Sequence, residues 1–172
     1  MVSSSKVLKK TNAARILDDM GIPYELVAFE ADERDLSAER AARDIGMPYD
    51  VVYKTLVLRG DKTGVIEACI PAGFEVDLKA LAEISGNKRV EMVNLKELTA
   101  LTGYVRGGCS PIGGKKHYPV YVYADAMNHE KISVNAGSRG LVFLMTPQDL
   151  VRATNATPGD IATGISSAES RR

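Results

Sequence analysis

The sequence has no tryptophan, only two histidines and only two cysteines in 172 residues. Cys69 and Cys109 form neither a CxxC pair nor a cluster, which argues against a disulfide scaffold and makes a reducing cytoplasm the simplest compartment. With only His117 and His129 beside them, no zinc-ligand spacing is present, and neither a metal nor another cofactor is expected. Excess charge of either sign is also missing: 22 basic residues balance 22 acidic ones. No global positive field therefore announces a nucleic-acid partner, although a local basic patch suffices to contact phosphates. No apolar run approaches the ~20 residues of a membrane helix. The opening MVSSSKVLKK lacks the apolar stretch of a secretory signal. No membrane partner is expected, and the chain reads as cytoplasmic.

What is present fits one domain with a proper core, at 45% apolar and 26% charged residues. Residues 1–10 and 163–172 are small, polar and aperiodic, and are expected to be flexible around a domain spanning 11–162. Helices are expected over 11–20, 37–45, 78–85, 95–102 and 147–155. Each has a capping residue or a first-turn proline (Thr11 or Asn12, Ser37, Asp77, Asn94, Pro147), and the first four have a glycine stop. Strands are expected over 24–30, 51–58, 65–70, 89–93, 119–125, 131–137 and 141–145, with GDKTG closing a hairpin between the second and third. Strands and helices alternate, yet several strands are hairpin neighbours. The fold class is therefore α/β of the α+β type: a single domain with a mixed, mostly antiparallel twisted sheet and packed helices, not a doubly wound parallel sheet.

The stretch VRGGCSPIGGKK (105–116) holds four glycines, a cysteine, a serine, a proline and two lysines. A P-loop needs GK[ST] after its four-residue spacer, but Gly114 stands where the lysine is required. A dinucleotide fingerprint follows a first strand and opens a helix; this loop comes late and precedes a strand. A nucleophile elbow needs GxSxG. Here Ile112 replaces the last glycine, and Pro111 removes a backbone donor directly after Ser110. Cys109 as a nucleophile would need His117 or His129 as its base; the simpler reading is a small apolar residue filling a loop. Two readings of the loop remain: a tight structural turn, or a surface where Gly107 and Gly108 let a ligand approach exposed backbone groups.

Lys54 interrupts the apolar run VVYKTLVL and shares a face with Val52 and Leu56. It is either an edge-strand lysine that blocks aggregation or a cation in a cleft holding a phosphate or hydroxyl.

VYKTL (52–56), KRVEM (88–92), TGYVRGGCSPIGGKK (102–116) and NAGSRGL (135–141), in that order, resemble the YbaK/EbsC family of aminoacyl-tRNA deacylases, related to the insertion domain of bacterial prolyl-tRNA synthetases. The similarity covers roughly residues 11–162, and the pattern TGYxxGGxSPxGxKK is its most specific part. The resemblance implies the fold of that family and an ester hydrolase that clears misacylated tRNA, typically Cys-tRNA(Pro). A synthetase pocket cannot reject amino acids of similar or smaller size, so a second site must remove them. It implies that Lys54 holds the ribose or phosphate of the tRNA 3′ end, and that the GxxxP loop Gly107–Pro111 contacts the terminal adenosine and aminoacyl group, with Gly107 and Gly108 among the catalytic residues. It further implies substrate contacts from Phe29, Cys109, Ser110, Pro111, Asn135, Ala136 and Gly137. Positive surface for tRNA would come from Arg106, Lys115, Lys116 and Arg139. No protein nucleophile is implied: the substrate cysteine's thiol attacks its own ester. Prolyl-tRNA synthetase is an expected recruiting partner, and the chain is expected to be a monomer or weak dimer. Three positions depart from the family pattern: Asn135 replaces a serine, Phe29 a tyrosine and Val142 an aspartate. These departures open a second specificity, for alanine or serine. A non-catalytic binding module of the same fold is a third reading.

Overall fold

Capping chemistry places the helices. In the computed structural model, which describes residues 10–164, α1 (Asn12–Asp19) starts where Thr11 Oγ1 accepts the Ala14 N–H. Ser37, Asp77 and Thr146 do the same for α2 (Ala38–Ile45), α3 (Leu78–Ser85) and α5 (Pro147–Thr154). Gly46 and Gly86 stop α2 and α3 in the left-handed conformation. Asn94 does not open a plain α-helix: its capping box starts a 3-10 turn, Leu95–Glu97, which passes into α4 (Leu98–Thr102).

The main sheet has five strands among the described residues. Its centre is the antiparallel hairpin of β2 (Tyr53–Gly60) and β3 (Gly64–Pro71), in register from Tyr53↔Pro71 to Gly60↔Gly64. The short β5 (Val90–Met92) pairs antiparallel with only the Leu58–Gly60 end of β2. On the far side β6 (Val120–Tyr123) runs parallel to β3, and β9 (Thr157–Gly159) parallel to β6. A second, antiparallel sheet orders β1 (Glu25–Ala28), β8 (Leu141–Met145) and β7 (Ile132–Ser138). β4 (Phe74–Val76) pairs antiparallel with β10 (Ala162–Gly164). The mixed, mostly antiparallel α+β architecture expected from the sequence is the one observed.

Alternation decides which face of β7 is buried in the core. Ile132, Val134 and Ala136 pack with Phe143, Leu17 and Leu150 in one cluster. Ser133 and Asn135 point the opposite way, towards β2, which meets β7 through a parallel bridge between Val52 and Ser133. A second cluster forms where Leu58, Ile66 and Ile70 of the hairpin meet Leu81 of α3. A cleft opens at the seam where the two sheets meet.

Three three-residue strands, β4, β9 and β10, were not expected, because none is long enough to show alternation. The strand expected over 119–125 stops at Tyr123 and gives way to a 3-10 turn, Ala124–Asn128. Of the termini expected to be flexible, only Lys10, Thr163 and Gly164 are among the described residues, and Thr163 and Gly164 pair with Glu75 and Phe74. No helix among the described residues is long and apolar enough to cross a membrane.

Candidate functional site

A cleft of about 520 Å³ lies at this seam, bounded by β2, the glycine loop, the outer face of β7 and β8 with Phe29, and the segment 31–44. Lys54 enters it from β2. Because β5 reaches only Leu58–Gly60, no strand among the described residues pairs with β2 on that side at Lys54. The side chain is nonetheless mostly buried, 28% exposed, with Nζ 3.9 Å from Glu39 Oε1. The cation-in-a-cleft reading of Lys54 thus matches its surroundings better than edge protection does.

The glycine loop forms the opposite side. Gly107 has a φ of +82°, and the Gly108 N–H donates to the Val105 carbonyl at 2.9 Å, closing a tight turn. A Cβ on Gly108 would lie 3.1 Å from the Arg139 backbone nitrogen, so that position is also packed against the β7–β8 turn. The Gly107 and Cys109 N–H groups have no partner among the described residues, and both residues line the cleft. Two side chains, Asn135 of β7 and Arg139 of the β7–β8 turn, pin the loop. Asn135 Nδ2 donates to the Gly107 carbonyl at 3.0 Å, and Arg139 Nε to the Arg106 carbonyl at 2.8 Å. Asn135 is then fully committed: Nδ2 also reaches the Ser138 carbonyl, and Oδ1 accepts from the N–H groups of Gly137 and Ser138.

The expected site residues divide on this geometry. Phe29, Lys54, Arg106, Gly107, Cys109 and Asn135 line the cleft. Gly108, Ser110, Pro111, Ala136 and Gly137 do not. Ser110 is buried with its Oγ accepting the Ile112 N–H, and Pro111 is buried beside it, so both brace the underside of the loop. Ala136 is in the core, its carbonyl accepting from Thr11 Oγ1. Gly137 has a φ of +97° and lies against the Tyr104 ring. Lys115 and Lys116 are exposed beyond the cleft wall, and Arg139 turns Nη1 towards Glu33 at 3.6 Å.

No activated cysteine or histidine among the described residues faces the cleft. Burial pushes the Cys109 thiol up to about 12, with the nearby Glu67 adding to the rise. Neither histidine lines it; His129 Nε2 sits 3.4 Å from Asp125.

The wall that sequence reasoning missed is 31–44. Leu36, the one apolar side chain in DERDLS, lies over Gly107, about 3.1 Å from where a Cβ there would stand. Asp32 and Arg34 join through two hydrogen bonds near 3.0 Å, and Glu39 projects from the first turn of α2. Leu36 gave a signal, as a lone apolar residue among charges. Glu39 gave none, since an acid after a helix cap is ordinary.

Residues 32–153 match the aminoacyl-tRNA editing domain. The chain belongs to this family. An Enterococcus faecalis protein, EbsC, whose name proposes a Cys-tRNA(Pro)/Cys-tRNA(Cys) deacylase, is 44% identical over 162 residues, covering 94% of this chain and 99% of the relative. The fold is also that of a crystal structure of a proposed trans-editing enzyme for prolyl-tRNA synthetase. That likeness has a TM-score of 0.78 at 24% identity and covers 91% of this chain and all of the other. The hypothetical protein APE2540 gives a TM-score of 0.81 at 21% identity, covering 89% of this chain and all of the other. Editing is hydrolysis of an aminoacyl ester, so the deacylase class and the YbaK/EbsC resemblance are borne out at the level of the family.

Proposed function

We propose that this editing-domain protein is a deacylase that removes cysteine from mischarged tRNA(Pro). The observation that carries this reading is the placement of Lys54 and the glycine loop around one cleft. The name of the 44%-identical relative supports the substrate. Lys54 binds the phosphate or ribose of the tRNA 3′ end. With the Gly108 N–H taken by Val105, the loop's donors for the developing oxyanion are the amides of Gly107 and Cys109. One good donor of this kind contributes roughly 3 kcal/mol of barrier lowering.

The substrate supplies the nucleophile. Its sulfur bonds to the ester carbonyl carbon, and the bond from that carbon to the ribose oxygen breaks. The oxygen takes up the thiol proton, leaving free tRNA and a cyclic thiolactone that water opens to cysteine. The protein contributes position, which is worth several kcal/mol. Cys109 takes no part in this reading, in keeping with a thiol pKa that burial raises. Arg106 at the rim and the exposed Lys115 and Lys116 meet the acceptor-stem backbone, and prolyl-tRNA synthetase serves as the recruiting partner.

One observation favours a second specificity. Asn135 has no free hydrogen-bonding group for a substrate side chain, and Phe29 and Val142 make the adjoining wall apolar. Such a wall suits alanine, whose ester would be cleaved by a positioned water. The deciding experiment is deacylation of tRNA(Pro) charged separately with cysteine, alanine and serine, by wild type and Lys54→Ala. Release of cysteine by wild type alone supports the main reading, and release of alanine moves the specificity. Release of none of the three overturns both.

A further inference from the structure

The carboxylates of the 31–44 wall are not equivalent. Asp32 is held by the Arg34 guanidinium through two bonds, and Asp44 accepts from Arg40 Nε with both oxygens. Asp35 accepts the Ser37 N–H and faces Arg43 at 3.7 Å, while Glu33 faces Arg139. Glu39 has no arginine. Its Oε1 accepts the Gly73 N–H and lies 3.9 Å from Lys54 Nζ, close enough for an ion pair but too far for a hydrogen bond. Its Oε2 has no partner among the described residues, and Glu39 lines the cleft. Both members of the pair are roughly two-thirds buried, at 28% and 32% exposure.

Such a pair is built to be exchanged. When a lysine swings onto an anion of the tRNA 3′ end, the carboxylate beside it loses its cation, and an unpaired, mostly buried carboxylate is costly. An aminoacyl ester brings a replacement: its α-ammonium, one carbon from the scissile carbonyl. Anion and cation then arrive together on one short unit, at a site that presents a cation and an anion 3.9 Å apart.

We propose that Glu39 receives the α-ammonium of the substrate, Lys54 and Glu39 exchanging their mutual contact for one contact each to the tRNA 3′ end and the amino group. This rests on the editing reading above and narrows it. The substrate class becomes esters of α-amino acids with a free amino group. N-blocked esters, including those of a growing peptide, are spared by charge, because they leave Glu39 without a cation.

The test uses tRNA(Pro) carrying cysteine, its α-hydroxy analogue, or N-acetylcysteine; all three keep the thiol and the ester. Wild type is expected to cleave the cysteinyl ester about tenfold or more faster than the other two, the range of a charge-assisted contact. Glu39→Gln keeps an acceptor for the Gly73 N–H and is expected to bring the cysteinyl and hydroxy esters within about twofold, by slowing only the former. Equal slowing of both esters by Glu39→Gln, or equal rates of both in wild type, overturns the proposal. The wild-type comparison stands even if the variant unfolds early. A wild type inactive on every ester fails differently: it overturns the editing reading, and this inference with it.

Discussion

The glycine loop and the 31–44 wall face each other across the cleft, and they hold their shape by different physics. The loop side is braced from behind by buried groups: Gly108 through Ile112 are all buried, and Asn135 and Arg139 grip its carbonyls. The facing wall is a run of charges at or near the surface, paired among themselves as Asp32–Arg34 and Arg40–Asp44. Buried hydrogen bonds are expensive to leave unmade, whereas exposed ion pairs contribute little. One side is therefore suited to hold backbone donors still for a transition state, and the other to rearrange its charges around an arriving ligand.

Lys54, between the two, should give the largest effect. Lys54→Ala is expected to slow deacylation of Cys-tRNA(Pro) by about 100-fold or more, with the fold intact, as single-turnover rates and thermal unfolding will show. A variant within a few-fold of wild type would mean that the cleft does not use its cation, and the contrast between the walls would lose its functional sense.

Next in size is a paired test of the contrast itself. Asn135→Ala removes four hydrogen bonds and leaves the Gly107 carbonyl without its clamp. It should lower stability by about 2 kcal/mol and activity by about tenfold, chiefly in kcat. Asn135→Asp keeps Oδ1 but sets a second oxygen against two carbonyls, so it should do at least as much damage. Arg34→Ala deletes the two side-chain bonds to Asp32, yet that side chain is 90% exposed. No measurable change in Tm is expected there. Equal shifts from the two alanine variants would break the comparison.

Much of this molecule is legible from residue types. Thr11, Ser37 and Asp77 cap because a short side-chain oxygen can reach a free N–H, and Gly46 and Gly86 stop helices because they tolerate positive φ. The glycine loop stands out for the same reason: its composition is abnormal for any other purpose. What stays hidden depends on partners distant in sequence. Asn135 looks like a substrate residue until its amide is found spent on Gly107, 28 positions away, and on the adjoining turn. Ser110, Pro111, Ala136 and Gly137 belong to the motifs and still face away from the cleft, because motifs record what builds a loop as well as what touches a ligand. Glu39 is hidden for the opposite reason, since charges along a short helix usually mean only solvent.

A lone charge within an apolar strand was a useful signal at Lys54, and VIEACI repeats it with the opposite sign at Glu67. Glu67 is 5% exposed, and burial raises its pKa from 4.5 to about 7. Between those values the folded protein holds a proton that the unfolded chain releases. Stability should therefore be fully present below about 4.5, fall as pH rises to about 7, and then level off. The loss is on the order of 3 kcal/mol, and Glu67→Gln should abolish it, gaining stability at pH 8 but not at pH 4. Denaturant titrations at several pH values will read the slope. A wild-type slope that survives in Glu67→Gln would assign it to another group.

The smallest effect is expected at the residue with the most obvious chemistry. Cys109 lines the cleft, sits inside the glycine loop and carries a thiol, so a protein nucleophile there is the natural rival to substrate-assisted cleavage. A thiol that burial holds near 12 is almost wholly protonated at neutral pH. Cys109→Ala removes one buried sulfur and should cost about 1 kcal/mol of stability, with deacylation within about twofold of wild type. Loss of activity in a folded Cys109→Ala protein, or a covalent aminoacyl adduct on Cys109 by mass spectrometry, would make the loop a source of nucleophile as well as of backbone donors. The division between a braced side that only positions and a charged side that binds would then fail at its centre. An unchanged rate leaves the loop with backbone alone to offer, which is what four glycines and a spent asparagine have built there.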